Sequence, residues 1–220
     1  MTEAPKAGLR GLIVDYGGVL TAPLGDTMSA WCETDDVDPK QFRRVMKEWL
    51  GTGYADEAAS NPVHALERGE IDVPDFEREL ATRLRTRDGQ AVEPAGLLTR
   101  MFAGFDAAPP IARAVRAAKR AGIATGLLSN SWGNEYPREG WPEMFDAVVI
   151  SGEVGLRKPE PAIYRLAAQR LALAPQQCVF VDDLRPNVEG AVLVGMVGVH
   201  HVTPGETLDE LEALFGIPLR

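Results

Sequence analysis

Certain side chains in this 220-residue sequence have the type and placement to do chemistry: Asp15, Ser129, Asn130, Lys158, Asp182 and Asp183. Asp15 closes an apolar run over residues 11–14 and is followed by Tyr16-Gly17-Gly18. Ser129-Asn130 follows an apolar run over 124–128, and Asp182-Asp183 follows another over 179–181. Lys158 lies in the loop Gly155-Leu156-Arg157-Lys158-Pro159. Carboxylates grouped without histidine or cysteine suit a hard cation such as Mg²⁺. A lysine and a hydroxyl can hold phosphoryl oxygens, while a bound cation screens the carboxylates from the incoming anion. The chemistry implied is metal-assisted attack on a small phosphorylated molecule.

That chemistry requires all of these residues to reach one crevice. Residues 11–14, 124–128, 147–150, 179–181 and 197–202 read as short strands buried on both faces, because their apolar residues are consecutive rather than alternating. Helical patterns over 110–121, 161–171, 187–194 and 207–215 lie between or after them. Alternating strands and helices predict crossover units and a parallel sheet, an α/β fold. Ligands gather at the carboxyl ends of such strands, where these polar residues stand.

Between residues 21 and 107 the rhythm changes. Helical, charged patterns occupy 38–50, 61–68 and 73–84, with a weaker one over 97–105, and no strand is evident. Asn61-Pro62 makes a good helix opening and Pro39 sits near the start of another helix. This stretch is expected to be an all-helical cap of residues 21–107 inserted into a core of residues 1–20 and 108–220. Ala107-Ala108-Pro109-Pro110 reads as the return linker.

Hydrophobic residues at 45% and charged residues at 25% describe an ordinary globular chain. Lys and Arg total 23 against 32 Asp and Glu, a formal charge of −9, which argues against a nucleic-acid partner. No signal peptide or membrane-length run is visible and the two cysteines, Cys32 and Cys178, are far apart. A cytoplasmic, membrane-free protein without disulfides is the expectation. Trp31 and Trp49 are read as core residues of the insertion. Trp132 and Trp141 either line the cleft or pack the loop, His200 and His201 are read as structural, and His64 as a surface residue of the insertion.

Taken in order, Asp15-Tyr16-Gly17-Gly18-Val19-Leu20, Leu128-Ser129-Asn130, Lys158-Pro159 and Phe180-Val181-Asp182-Asp183 resemble the haloacid dehalogenase (HAD) superfamily. The nearest likeness is to the subgroup of the amino-terminal phosphatase domain of soluble epoxide hydrolase, through Ser129-Asn130-Ser131-Trp132, Val154-Gly155, Lys158-Pro159-Glu160-Pro161 and Val181-Asp182-Asp183-Leu184. Leu66-Glu67-Arg68-Gly69-Glu70-Ile71 looks similar to that subgroup's cap. The resemblance implies a Rossmann-like sheet of order 5-4-1-2-3 and a hydrolase of phosphatase type. It makes Asp15 the nucleophile, with Ser129, Asn130, Lys158 and Trp132 at the substrate. Asp15, the carbonyl of Gly17 and Asp183 would hold Mg²⁺, with Asp182 and Asn187 behind them. A small phosphorylated substrate and a monomer or homodimer are expected.

One departure matters. The family's phosphatases carry a second aspartate two positions after the nucleophile, as general acid and base, and here Gly17 stands there. Such a group is typically worth roughly 100- to 10,000-fold. Its loss matters least for acidic leaving groups such as those of sugar-1-phosphates or acyl phosphates. Two other outcomes stay open: a 2-haloacid dehalogenase, which needs neither metal nor leaving-group acid, and a non-catalytic protein that binds a phosphorylated ligand.

Overall fold

The computed structural model describes residues 8–50, 61–104, 109–133 and 136–220. Five parallel strands form one sheet: β1 (Gly11–Val14), β2 (Ala124–Ser129), β3 (Ala147–Ile150), β4 (Cys178–Asp182) and β5 (Val197–His200). Their order across the sheet is β3-β2-β1-β4-β5, the expected 5-4-1-2-3 seen from the other edge. β1 is central, with Leu12, Ile13 and Val14 fully buried, which explains why its sequence has no polar alternation. The in-register pairs Val14–Leu127 and Val14–Val181 bring the ends of β1, β2 and β4 level. Asp15, Ser129 and Asp182 therefore emerge along one rim.

Ten helices accompany the sheet among the described residues. The first five after β1 are α1 (Leu24–Thr34), α2 (Pro39–Leu50), α3 (Pro62–Glu67), α4 (Val73–Arg83) and α5 (Leu97–Met101). They pack around an apolar cluster of their own that includes Trp31, Trp49, Phe76 and Leu80. The core-side helices are α6 (Pro109–Arg120), α7 (Ser151–Val154), α8 (Pro161–Arg170), α9 (Arg185–Leu193) and α10 (Pro204–Phe215). Apolar clusters cover both faces of the sheet, one including Leu12, Val14 and Leu127, the other Ile13, Leu128 and Phe180. No helix among the described residues is long and apolar enough to cross a membrane.

Local signals explain several boundaries. Asn61 caps α3 by accepting the N–H groups of Val63 and His64, and Asp72 caps α4 through Asp75 N–H. Two helices depart from the sequence expectation. α1 was not anticipated, because Gly25, Thr27, Ser29 and Thr34 are poor helix formers and its N-cap makes no side-chain hydrogen bond. α7 is a single turn, too short for periodicity to mark. Pro109 and Pro110 open α6 rather than forming linker, as the missing proline N–H allows. Residues 107 and 108 of the expected linker lie outside the described residues. The two cysteines are free and buried.

Candidate active site

β1 delivers Asp15 to the rim and the turn of residues 16–20 reverses the chain there. Gly18, at φ +74°, lets this turn press against Asp183: a Cβ on Gly18 would lie 2.4 Å from Asp183 Oδ2. The Gly18 N–H donates to Thr21 Oγ at 3.0 Å, closing the turn.

Lys158 is the fulcrum. Its Nζ lies 2.7 Å from Asp15 Oδ1 and 2.6 Å from Asp182 Oδ2, with only 1% of the lysine exposed. A buried ammonium requires such partners, because an isolated ion away from water is prohibitively costly. Asp182 is fully enclosed and also accepts from Leu184 N–H at 2.8 Å and from Asn187 Nδ2 at 3.1 and 3.2 Å. It thus orients the lysine and shapes the entry to α9, while Asp183 faces the turn around Gly18. The N-cap residue of α9 is Leu184, which makes no side-chain cap hydrogen bond.

Asp15, Asp182 and Asp183 each place a carboxylate oxygen within 4.8 Å of the others. Three carboxylates against one ammonium leave two negative charges in excess when all are ionised. Burial pushes the Asp15 carboxyl up to about 8, against the pull of Lys158, and Asp182 and Asp183 add to the rise. Asp183 rises to about 6, first through burial and then through Asp182. Lys158 is held firmly protonated because its two carboxylate partners outweigh its own desolvation. Asp183 Oδ1 and Asn187 Oδ1 are buried acceptors without a hydrogen-bond partner. An excess of negative charge beside an orphaned carboxylate oxygen is the environment a hard divalent cation satisfies, so these residues fit Mg²⁺.

Ser129 Oγ is 3.0 Å from the hydroxyl of Tyr136, a residue that sequence reasoning missed because a lone tyrosine among glycine and proline carries no spacing signal. Burial pushes the Tyr136 phenol up to about 12, so it keeps its proton. Asn130 lines the cavity, and its amide clasps the backbone of Lys158. Asn187 likewise turns its NH₂ toward Asp182. His200, read as merely structural, places Nε2 3.0 Å from the carbonyl of Asp183 and so steadies that backbone. His201 contacts Thr207 and lies apart from the site. Trp141 packs with Tyr16, Tyr136 and Phe145, whereas Trp132 lines the cavity.

A cavity of about 220 Å³ lies above the rim, touching Asp15, Gly17, Ser129 and Lys158 at its base. Its roof comes from α1, α2 and the chain after α5. The helices meet the loop carrying Lys158 through two ion pairs: Arg157 Nε to Glu67 Oε2 at 2.5 Å, almost fully buried, and Arg68 to Glu160 at 2.6 Å. Burial, followed by Arg157 and Arg68, lowers His64 nearby to about 4.

The family model for haloacid dehalogenase-like hydrolases matches residues 9–195. The chain belongs to this family. Similar curated proteins include acyl-CoA dehydrogenase family member 10 of Mus musculus, 29% identical over 99% of this chain and 20% of that protein. Bifunctional epoxide hydrolase 2 of Rattus norvegicus is 30% identical over 49% of this chain and 21% of its own length. Glyceraldehyde 3-phosphate phosphatase of Methanopyrus kandleri is 39% identical over 37% of this chain and 35% of its own length. The chain thus spans a fifth to about a third of these relatives. The same fold is found in a HAD family enzyme of Bacteroides thetaiotaomicron, crystallised as a magnesium complex, with TM-score 0.61, 19% identity and coverage of 93% of this chain and 98% of that one.

Proposed function

We propose that this HAD-like hydrolase is a magnesium-dependent phosphatase of a small phosphorylated metabolite, with Asp15 as its nucleophile. The observation that carries the reading is the buried Asp15–Lys158–Asp182 chain beside the orphaned oxygen of Asp183. It is supported by similarity to a glyceraldehyde 3-phosphate phosphatase and by the family's hydrolase chemistry.

In this reading residues 21–107 form a cap over a core of residues 1–20 and 108–220, excluding water from the cavity. Asp15, the Gly17 carbonyl and Asp183 hold Mg²⁺, which when bound neutralises charge on the phosphoryl group and the carboxylates. Asp15 attacks phosphorus to give an aspartyl phosphate, and the ester oxygen leaves. Ser129 donates to a phosphoryl oxygen, with Tyr136 fixing the direction of its hydroxyl. Lys158 supplies positive charge to the nucleophile and to the phosphoryl oxygens, preorganised by Asp182 and by the Asn130 clasp. Water then attacks the aspartyl phosphate and returns Asp15 to its ionised form. Neither step has a carboxylate at position 17 to move the proton.

Phosphate release from acetyl phosphate and from a panel of esters tests the reading. We expect release that requires Mg²⁺ and is abolished by Asp15→Asn. The dehalogenase alternative has Asp15 displacing halide from a 2-haloacid, and chloride release in the presence of a chelator would favour it. Tight phosphate binding without turnover of any panel member would favour a binding protein instead.

A further inference from the structure

We infer that the organic part of the substrate is a compact aromatic group joined to phosphate through a phenolic oxygen, an inference that rests on the phosphatase reading above. Two independent observations lead there.

The first is the wall of the cavity. Above the reacting groups it is built from Met28, Phe42, Met46, Phe102 and Trp132, with Leu184, 41% exposed, also lining it. Of the polar side chains that line the same space, Glu67, Asn130, Asn187 and Tyr136 are engaged elsewhere. Glu67, the charged residue that the helices contribute, accepts Trp132 Nε1 on Oε1 at 3.2 Å and Arg157 Nε on Oε2. The amides of Asn130 and Asn187 are held by the Lys158 backbone and by Asp182. The Tyr136 hydroxyl is on Ser129. A sugar, glycerol or amino-acid ester would have to bury hydroxyls or a charge against thioethers and rings. Each hydroxyl left unpaired forfeits roughly 10- to 100-fold in binding. Aromatic rings against aromatic and methionine walls gain instead. At about 220 Å³ the space is also smaller than the roughly 300–1,000 Å³ of a typical ligand pocket, so the group is compact.

The second observation is Gly17. With no carboxylate there to protonate the departing oxygen, the bond between phosphorus and oxygen must break with the electron pair leaving on an oxygen able to carry it. A phenoxide does this far better than an alkoxide. In the balanced sequence Asp15 forms its bond to phosphorus as the aryl oxygen leaves with the electron pair and takes a proton from solvent. Water then forms the new bond to phosphorus, its proton passing to solvent, and the Asp15 carboxylate is regenerated. The sugar-1-phosphates considered from sequence satisfy the second observation but not the first.

The test uses the full chain with Mg²⁺ and compares kcat/KM for phenyl phosphate, 1-naphthyl phosphate, benzyl phosphate, glucose 1-phosphate and glycerol 3-phosphate, with acetyl phosphate as the control for turnover. We expect the aryl esters to exceed the sugar and glycerol esters by at least about 100-fold. Phenyl should exceed benzyl phosphate by a similar factor, since benzyl keeps the ring and loses the acidic leaving group. Gly17→Asp should narrow the gap between phenyl and benzyl without helping glucose 1-phosphate. Met46→Glu should lower aryl turnover more than acetyl phosphate turnover. Acetyl phosphate hydrolysis with glucose or glycerol esters equal to or better than aryl esters overturns the inference and leaves the phosphatase reading standing. Equal rates for phenyl and benzyl phosphate overturn its leaving-group half. Hydrolysis of nothing, acetyl phosphate included, overturns both.

Discussion

The side-chain amide of Asn130 grips the main chain of Lys158 from both ends, accepting its N–H at 2.8 Å and donating to its carbonyl at 3.1 Å. The lysine that bridges Asp15 and Asp182 is therefore placed from behind as well as from in front. Asn130→Ala should leave those backbone groups unpaired at about 1–3 kcal/mol. It should also lower kcat by roughly 100-fold, the typical effect of an ångström of misplacement. Urea unfolding and steady-state kinetics measure the two losses separately. A variant with full activity would mean that the ion pairs alone place the lysine.

Gly18→Ala should disturb Asp183, because the new methyl would start 2.4 Å from its Oδ2 at a φ of +74°. If Asp183 holds the cation, saturating Mg²⁺ that stabilises the natural protein by about 2.7 kcal/mol at 100 times Kd will stabilise this variant by less than half as much. Thermal unfolding with and without Mg²⁺ reads the difference. An unchanged Mg²⁺ response would remove Asp183 from the proposed ligands.

The Glu67–Arg157 pair joins helix α3 to the loop carrying Lys158 with 7% and 3% of the two side chains exposed. Removing either partner should cost up to about 3–5 kcal/mol, since the survivor is a buried charge that has lost this partner. Glu67→Gln with Arg157→Met should cost less than the two single changes added together. A double-mutant cycle by urea denaturation gives the coupling, and simple additivity would deny that the pair acts as a unit.

Acid stability should bend at His64. Above pH 6.5 this histidine is neutral folded or unfolded and contributes no pH dependence. Between 6.5 and about 4 the unfolded chain takes up a proton that the folded chain resists, through burial and then through Arg157 and Arg68, so stability falls as pH falls. His64→Asn should flatten the melting temperature across that window relative to the natural protein. Parallel curves for the two proteins would refute the assignment.

What the sequence made legible follows from which interactions are local. The four bounds of β1 and β3 and the sheet-rim positions of Asp15, Ser129 and Asp182 could be read directly, because each run of consecutive apolar residues is followed by a polar one, although only central β1, and not edge strand β3, is buried along its whole length. The opening of α3 at Asn61-Pro62 was equally local. The roles of Asn130, Tyr136 and His200 were not legible, because each depends on a partner distant in sequence or on the direction of one side chain. Asn130 reaches 28 residues onward to Lys158, and His200 reaches back 17 to Asp183. The apolar roof over Asp15 was hidden for the same reason: helix periodicity marks which residues turn inward, and both the helices' own core and the cavity lie inward.

Only residues 16–23 separate the nucleophile from the first roof helix, and that stretch is knotted by the Gly18–Thr21 hydrogen bond with Gly18 lying against Asp183. Any swing of the roof must therefore pull on the same short cord that positions the attacking oxygen. Reshaping the roof by grafting helices from a relative will succeed or fail at this knot, however well the new walls suit their guest.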